Sequence, residues 1–578
     1  MSSRGRQSSS PSMPRLLTCC WRQRSSRVRS RLRAGPHLDG SDLEVLASLG
    51  LILAAFWAAR HLLHGSFGFY EDDYTLVVRA MAADWPEVRE FLVGQFSQFA
   101  GQGRPLQHSL VFLLGYLSER LGGLLPAYWL AFSIVAMNCV LFYSLLFKLG
   151  DGLFALVGGL AYALFSADTT QAFLNHAFGL QPALTFLILA SLAYLFKRRV
   201  LAYVLSLGAL LSYETAYLVF LGIPLLEQEW NRSWSKRLAL HGAIGLAILG
   251  VVTAIRATIG EERVLSLRAA DLLEVSFLHT LQGPLVALGS YFLRPVQAVI
   301  DMDLGIGLVS LISVVVFWVA LSWMSPSHRP DATVRARQVR LLISGLVLVA
   351  LAYPLTFTVR AYAISGRDTR VHLAAIMGAS LVFASAWGLV SSRFTDRRVR
   401  NALIGALSTL FALLLGFGVV VQKDYARAWE LQRVFWSSLL PQVSDMQDGN
   451  VILVDPKGLL DTRYIDANTW NLPLVMQYVL RPLEPWVEQP TVHRLLPDWR
   501  QRSLSNTFEI KAVDYAWEYV VVPWENVILL ETEDGEVIRR SDHVQLGDRT
   551  YPIDALDQVD TARSIPGFLY TRLIERSP

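Results

Sequence analysis

The sequence is poor in charge and in cysteine. Only 17% of its 578 residues are Asp, Glu, Lys or Arg, and the mean hydropathy is +0.37, whereas charged residues make up about 25% of a soluble globular protein. This shortage of charge excludes an ordinary soluble enzyme. The three cysteines, Cys19, Cys20 and Cys139, cannot build a disulfide framework.

Three motifs that are typical of soluble enzymes are also missing from the sequence. It contains no glycine-rich phosphate loop, no HExxH metalloprotease motif and no GxSxG nucleophile turn. Chemistry must therefore be carried by polar groups at the ends of apolar segments. Ionisable residues in such places are costly in free energy, which makes them functional candidates.

Apolar runs long enough to cross a bilayer recur along most of the chain. They predict a mainly α polytopic membrane helix bundle of about eleven spans, and they exclude a single-span anchor and an outer-membrane barrel. The predicted spans are residues 43–63, 126–148, 152–167, 178–196, 200–213, 214–227, 238–258, 304–324, 339–359, 371–390 and 402–422. The pair 200–213 and 214–227 is short, which leaves tilted helices, broken helices or one long helix open.

Basic residues orient these spans, because cytoplasmic loops carry an excess of Lys and Arg. Residues 1–40 contain nine Arg and one acid, Asp39. With this leader in the cytoplasm, the basic loops fall on the same side: Lys148; Lys197, Arg198 and Arg199; Arg232, Lys236 and Arg237; Arg329, Arg335, Arg337 and Arg340; and Arg393, Arg397, Arg398 and Arg400. We predict an inner (plasma) membrane protein with a cytoplasmic N-terminus and an extracytoplasmic C-terminus.

The same pattern divides the chain into three regions. A basic cytoplasmic leader (1–42) is followed by the membrane region (43–423) and by a small extracytoplasmic α/β domain (424–578). Two further apolar segments on the far side, Leu106–Leu117 and Phe277–Ile300, predict amphipathic helices at the membrane interface.

The last region lacks a span-length apolar run and contains short β-rich runs. Asn450–Asp455 and Tyr519–Val522 predict buried strands. Val527–Thr532 and Glu536–Arg540 flank Asp534-Gly535, which predicts a hairpin.

Three consecutive carboxylates follow the first predicted span: Glu71, Asp72 and Asp73, with Tyr70 before them and Tyr74 after them. Like charges packed beside apolar surface raise the pKa of at least one carboxyl group, unless a cation or a metal compensates. A raised pKa suits a general base. The alternative is a solvated acidic turn.

Cations and histidines are predicted on the same side of the membrane. Arg104 follows two glycines and precedes His108 by one helical turn, and its guanidinium can fork onto a phosphate or onto the acidic residues. Glu214 lies among apolar residues and must find a cation or be protonated. The alternative for Arg104 is an ordinary arginine at the membrane interface. The alternative for Glu214 is a contact that pairs helices, and the alternative for His176 is an ordinary loop histidine.

Further cations would suit a phosphate or diphosphate on this side. They are Arg256, Arg360, Arg367 and Arg370, with His372 beside the last of them. Snorkelling towards lipid headgroups explains these residues equally well.

Together these motifs resemble the GT-C superfamily of membrane glycosyltransferases, which take sugars from polyprenyl-phosphate carriers. The resemblance covers residues 43 to 260 well and the later spans only in general. The motifs that carry it are Glu71–Tyr74 in a long first outer loop, Gly103–Leu106, Ala155–Phe165 continuing to Asn175-His176, and Leu211–Glu214.

The resemblance implies inverting transfer to an acceptor hydroxyl, with Asp72 or Asp73 as the base and Asp72 preferred. The departing phosphate needs charge stabilisation, which Arg104 matches by motif. The full set of substrate-binding candidates is Glu71, Arg104, His108, His176, Glu214, Arg360 and Arg367. No metal is required, although a divalent cation acts in some members. The expected partners are a polyprenyl-phosphate-linked sugar, an acceptor that the sequence does not identify and the lipid bilayer, with no nucleic acid.

Two other classes of function remain open. In a transporter or flippase of lipid-linked or anionic solutes, Glu214 and Arg256 would be charges at the membrane midplane, and the short spans 200–213 and 214–227 would be a broken helix pair. The absence of a repeated half in the sequence counts against this class. A non-catalytic membrane partner that binds another protein through its C-terminal region is the third possibility.

Overall fold

The computed structural model describes most of the membrane region and parts of the C-terminal region. The described residues are 40–98, 103–227, 230–261, 269–325, 332–356, 360–394, 396–443, 449–454, 459, 461–467, 472–482, 490–494, 501–503, 507–511, 519–523, 527–533, 536–540, 543–546, 549–552, 564–566 and 568–574. Residues 1–50 form a unit of their own. Most of the predicted leader, 1–42, lies outside the described residues.

The described part of the chain is mainly helical, as the sequence predicts. The α-helices are α1 Gly40–Arg60, α2 Arg79–Ala82, α3 Trp85–Gln98, α4 Pro105–Arg120, α5 Leu124–Leu149, α6 Gly152–Ala163, α7 Leu174–Gly179, α8 Gln181–Leu195, α9 Arg199–Ser212, α10 Tyr217–Leu221, α11 Arg232–Thr258, α12 Ala269–Ile300, α13 Leu304–Met324, α14 Ala332–Leu351, α15 Ile376–Ser391, α16 Arg397–Gln442, α17 Leu472–Val479 and α18 Tyr570–Leu573. Tighter or wider helical turns lie at His64–Ser66, Tyr74–Val78, Glu214–Ala216, Ile223–Leu226 and Arg367–Ala375.

Short polar side chains define where several of these helices begin. Asp151, Asn231, Asp303 and Asp396 each accept a hydrogen bond from a backbone N–H in the first turn of α6, α11, α13 and α16. Such caps satisfy donors that have no partner within the helix. Between α4 and α5 the chain turns at Gly123, whose φ of +92° lies in a region that favours glycine.

Seven helices within the described residues are long and apolar enough to cross a membrane. They are Asp42–Ser66, Leu124–Leu149, Leu174–Leu195, Arg232–Thr258, Leu304–Met324, Arg367–Ser391 and Arg397–Gln442. Each of the seven overlaps one of the predicted spans, which confirms the membrane-like helical architecture.

The predicted count of about eleven spans is not confirmed. Segments 152–167 and 200–213 form the short helices α6 and α9, of 12 and 14 residues. Segment 214–227 divides into two 3₁₀ turns around the five-residue α10, since Pro224 removes a backbone donor at the second turn. Segment 339–359 overlaps α14, which begins earlier, at Ala332, and ends at Leu351.

The predicted interfacial segment 277–300 belongs to a longer helix. It forms the C-terminal part of α12, which has 32 residues and contains Pro284 and Pro295. Many apolar side chains of α12 are exposed, whereas Arg294 is buried and its guanidinium lies over the ring of Phe417 in α16. Its position relative to a bilayer stays a prediction.

Helix α16 is the centre of the packing. It packs along α12 and α13, while α14 pairs with α15 and α8 pairs with α9. It also continues well past residue 423, where the sequence predicts the end of the membrane region. At Gly418 it meets the first helix so closely that an added Cβ would lie 2.3 Å from the backbone oxygen of Ala59.

We expect Gly418→Ala to lower the free energy of unfolding by about 1–3 kcal/mol, because the backbone of Ala59 cannot move away without separating the two helices. Gly405→Ala in the same helix is the matched control, since nothing lies within 4 Å of its added Cβ. The control should be neutral or gain about 0.5–1 kcal/mol from helix propensity. Thermal unfolding in detergent measures both, and an equal shift in the two variants would contradict this account.

The C-terminal region contains a small sheet, as predicted. The strands are β1 Val451–Val454, β2 Leu480–Pro482, β3 Thr491–Arg494, β4 Gln501–Ser503, β5 Thr507–Lys511, β6 Tyr519–Pro523, β7 Val527–Glu533, β8 Glu536–Arg540, β9 His543–Leu546, β10 Arg549–Pro552 and β11 Ser564–Pro566. One four-stranded sheet has the order β3-β1-β7-β8, in which β1 is parallel to β3 and β7, and β7 is antiparallel to β8.

These strands confirm the sequence patterns. The buried run predicted at 450–455 is β1, and β7 and β8 form the predicted hairpin pair. The run predicted at 519–522 forms strand β6, in a three-stranded antiparallel sheet with β4 and β5, and its burial stays a prediction. The turn residues Asp534 and Gly535 lie outside the described residues.

Candidate functional site

The acidic loop after the first helix is held in place by one face of α16. The hydroxyl of Tyr70 donates to the backbone oxygen of Tyr425 at 2.7 Å, and the hydroxyl of Tyr74 donates to Gln432 at 2.6 Å. Trp429 packs so tightly on Gly68 that an added Cβ would overlap its ring, 1.8 Å away. Residues 425, 429 and 432 recur at helical spacing, so they share one face of the helix.

Asp73 is fully buried, and its carboxylate accepts hydrogen bonds from two backbone N–H groups. One carboxylate oxygen accepts from the N–H of Tyr70 at 3.0 Å, and the other accepts from the N–H of Asn175 at 2.8 Å. Burial raises the pKa of Asp73. The side chain therefore ties the acidic loop to the start of α7.

Glu71 is also buried but has a charged partner. Its φ of +39° is unusual for a residue with a side chain. One carboxylate oxygen accepts from the backbone N–H of Asp466 at 3.1 Å, and the other lies 3.3 Å from Nε of Arg367. Burial raises the pKa of Glu71 to about 8, although the Arg367 guanidinium acts in the opposite direction. A raised pKa was predicted for the acidic cluster, but its main cause is burial rather than repulsion between like charges.

Asp72 is the accessible carboxylate of the three. Its side chain is 29% exposed, and its two oxygens lie 3.5 Å from Nη1 of Arg367 and 3.6 Å from Nη1 of Arg370. The two arginines come from one 3₁₀ helix, Arg367–Ala375, in which side chains three residues apart are eclipsed. Both guanidinium groups consequently face the same carboxylate.

His176 lies behind this group. Its Nε2 is 3.5 Å from Nη1 of Arg370, and the imidazole is buried against the ring of Phe173. Its Nδ1 is buried without a hydrogen-bond partner among the described residues. Asp168 is buried and accepts from the backbone N–H and the hydroxyl of Thr170 at 2.8 and 2.7 Å. Burial raises the pKa of Asp168.

Arg104 meets Glu214 rather than the acidic loop. It precedes α4, and its guanidinium forks onto both carboxylate oxygens of Glu214, with Nε to Oε2 at 2.7 Å. Arg256 adds a second cation, 3.5 Å from the same carboxylate, and donates twice to the backbone oxygen of Gly103 at 2.7 and 3.0 Å. Of the two partners predicted for Arg104, the cluster 71–73 is replaced by Glu214, which binds Nε and Nη2 of the guanidinium. Binding of a phosphate by Arg104 stays a prediction.

Gly103 cannot carry a side chain in this arrangement. Its φ is +67°, and an added Cβ would lie 2.5 Å from Nε of Arg256. The group that approaches Gly103 closely is an arginine of the chain itself.

The remaining predicted residues lie farther from the acids or at the surface. Arg360 is exposed and its guanidinium lies over the ring of Tyr362. His108 is half-buried on α4, one turn after Arg104. His372 is fully buried, with Nδ1 bonded to the hydroxyl of Tyr353 and Nε2 to the backbone oxygen of Ala363, both at 2.8 Å. A role for these three in binding a substrate stays a prediction.

A contact from the C-terminal region was missed by sequence reasoning. The carboxylate of Asp424 in α16 accepts backbone hydrogen bonds from Arg463, Tyr464 and Ile465, the shortest at 2.6 Å. This fixes the segment that brings the N–H of Asp466 to Glu71. The sequence signal that could have predicted this contact is the presence of polar residues, Asp424 and its neighbours, in an otherwise apolar helix.

The described residues contain no group of three or more His, Cys, Asp or Glu side chains placed to hold a metal ion. The carboxylates 71–73 diverge, because two of them are used by backbone donors. Charge compensation at Asp72 comes from arginines.

Two charged groups thus lie side by side at one end of the helices: Asp72 with its arginines, and Arg104 with Glu214. The turn Glu214–Ala216 packs against the 3₁₀ helix 367–375 and so makes them neighbours. No protein-family model matches this chain, and comparisons with curated proteins and with solved structures found no match either.

Proposed function

We propose that this chain is an integral membrane glycosyltransferase that moves a sugar from a polyprenyl-phosphate carrier to an acceptor hydroxyl. The observation that carries the proposal is the position of Asp72, an accessible carboxylate between two guanidinium groups at the ends of membrane-length helices. The resemblance of residues 71–74 and 103–106 to the GT-C superfamily supports it.

Asp72 is the general base in this mechanism. It accepts the proton of the acceptor hydroxyl while that oxygen attacks the anomeric carbon of the sugar. The bond from the anomeric carbon to the phosphate oxygen breaks at the same time, and the polyprenyl phosphate leaves with the electron pair. Asp73 is a positioning residue, since both of its oxygens are taken by backbone N–H groups.

Arg367 and Arg370 stabilise the departing phosphate. Arg370 reaches Asp72 at 3.6 Å through Nη1, and its guanidinium has further N–H donors that suit phosphate oxygens. Glu71 orients Arg367 from the opposite side at 3.3 Å. Moving the arginines from Asp72 to the phosphate also frees the carboxylate to take a proton.

The test of the proposal is a transfer assay with the purified full chain in lipid vesicles. A panel of radiolabelled polyprenyl-phosphate sugars is offered together with cell-envelope acceptors, and released polyprenyl phosphate is measured alongside labelled product. We expect one donor to be consumed in a time-dependent reaction. Consumption of none by folded protein would contradict the enzymatic proposal.

Arg370→Gln is expected to raise KM for the donor about 10- to 100-fold, because a hydrogen bond to a charged group contributes about 1.5–3 kcal/mol. Arg89→Gln is the matched control, since Arg89 is an exposed arginine of α3. Steady-state kinetics across donor concentrations separates KM from kcat. A rise of KM in both variants to the same extent would reject a specific role for Arg370.

A transporter or flippase is the second candidate, and the break between α9 and α10 favours it. Glu214 sits at this break with Arg104 and Arg256 as partners, a charged group of the kind that half-helices present in transporters. Movement of a fluorescent lipid-linked sugar across vesicles without its hydrolysis or transfer would support this function over the enzyme.

A further inference from the structure

A second charged cluster lies away from Asp72 and surrounds Glu227. Its carboxylate accepts hydrogen bonds from Lys197 and Arg199 at 2.9 Å and from Arg237 at 3.1 Å. The Glu227 side chain is only 8% exposed, whereas the three cations are 30–67% exposed. The buried carboxylate of Glu227 thus binds cations from two segments that are separate in the sequence. These four residues are called the Glu227 cluster below.

The Glu227 cluster lies at the opposite end of the helices that carry the candidate site. Helix α9 begins at Arg199 in the cluster, has 14 residues and ends at Ser212, two residues before Glu214. Helix α11 carries Arg237 near its start and Arg256 near its end. At 1.5 Å per residue these helices separate the two charged ends by about 20–30 Å, which matches the thickness of the hydrocarbon core of a bilayer.

Two tryptophans mark this end as a membrane interface. The rings of Trp230 and Trp234 are stacked with centroids 5.4 Å apart. Their indole N–H groups donate to the backbone oxygens of Leu225 at 3.1 Å and Pro224 at 2.9 Å, which fixes both rings. Tryptophan is enriched where headgroups meet the hydrocarbon core.

The cluster has more positive charge than Glu227 can neutralise. Segments 197–199 and 227–237 contain six Lys and Arg residues against two Glu. The guanidinium of Arg199 lies over the ring of Tyr194, 3.3 Å from its centroid, and its Nη1 is buried there without a hydrogen-bond partner among the described residues. The N-termini of α9 and α11 begin here and add the positive ends of two helix dipoles. This excess of positive charge attracts an anion.

We infer that the Glu227 cluster binds the phosphate of an anionic membrane lipid. The apolar surface beside the cluster suits the acyl chains: Val200 and Val204, one turn apart on α9, are 79% and 60% exposed, and Phe196 is 59% exposed. Inorganic phosphate shares the headgroup's charge but would leave this surface unused. The inference is independent of the proposed glycosyl transfer.

The test is native mass spectrometry of the full chain in detergent, titrated with phosphatidylglycerol or phosphatidylcholine. We expect the wild-type chain to bind phosphatidylglycerol preferentially. Arg199→Gln with Arg237→Gln should reduce that affinity about 10- to 30-fold, given the attraction of each basic residue to anionic lipid. The matched control is Arg393→Gln with Arg398→Gln, two exposed cations of another predicted cytoplasmic loop, which should retain the preference.

A second double variant covers the case in which the first does not fold. Arg198→Gln with Arg232→Gln removes exposed charge while leaving the hydrogen bonds to Glu227 intact, and it should also weaken binding of phosphatidylglycerol. Equal affinity in wild type and in this variant would overturn the inference, as would an equal loss in the 393/398 control. Displacement of the lipid by millimolar inorganic phosphate would assign the site to free phosphate instead.

Discussion

Asp72→Asn is expected to lower the rate of sugar transfer about 100- to 10,000-fold, the contribution of a positioned general base. Asparagine has nearly the same shape, and its Oδ1 can still accept a hydrogen bond from one of the two arginines, so donor binding should be changed less than kcat. The measurement is kcat and KM with the donor identified in the transfer assay.

Glu90→Gln is the matched control for this substitution. Glu90 is an exposed acid of α3 in the same predicted outer segment, so its loss removes one negative charge without touching the arginines. Transfer by this variant should equal the wild-type rate. Full activity of Asp72→Asn in protein that unfolds at the wild-type temperature would remove Asp72 from the mechanism.

Glu214→Gln is expected to lower the free energy of unfolding by about 3–5 kcal/mol, because it takes the carboxylate from the buried Arg104 and one of two carboxylates from Arg256. Arg104 and Arg256 are buried and both face Glu214. Thermal unfolding in detergent measures the loss. Combining it with Arg104→Gln should recover part of the stability, since one unpaired charge is removed.

The control is a more exposed ion pair. Arg572 Nη2 lies 2.9 Å from both carboxylate oxygens of Glu119, with side chains 23% and 31% exposed. Glu119→Gln should cost no more than about 1 kcal/mol, because water screens the pair and solvates the partner that remains. A Glu214→Gln variant as stable as the Glu119→Gln variant would show that burial of the first pair is not decisive.

The helical architecture follows from patterns that are local in the sequence. Long apolar runs locate the seven membrane-length helices of the described residues, because a helix that crosses a bilayer requires about 20 consecutive apolar residues. The count of spans was less predictable. Short apolar runs such as 152–167 and 214–227 have the hydropathy of a span, but their length in the fold depends on prolines, caps and neighbouring helices.

The candidate site was predictable in its composition but not in its pairing. Acids at 71–73 and cations at 367 and 370 stood out, since charges beside apolar segments are costly. Which cation meets which acid depends on tertiary contacts: Arg104 was a candidate partner for Asp72, yet it binds Glu214, 110 positions away in the chain. The burial of Glu71 and Asp73 likewise depends on α16, which comes more than three hundred residues later in the chain. Asp72 between them stays partly exposed.

The sequence by itself determined that this is a helical protein of membrane type with charge concentrated at the helix ends, because apolar length and charge spacing are properties of short segments. Only the tertiary structure decided which charges compensate one another. Asp72 lies between two arginines because a 3₁₀ turn aligns positions 367 and 370, and Glu227 gathers cations because α9 and α11 start at the same end of the bundle. Such pairings join residues distant in sequence, and their energies depend on burial that no single segment specifies.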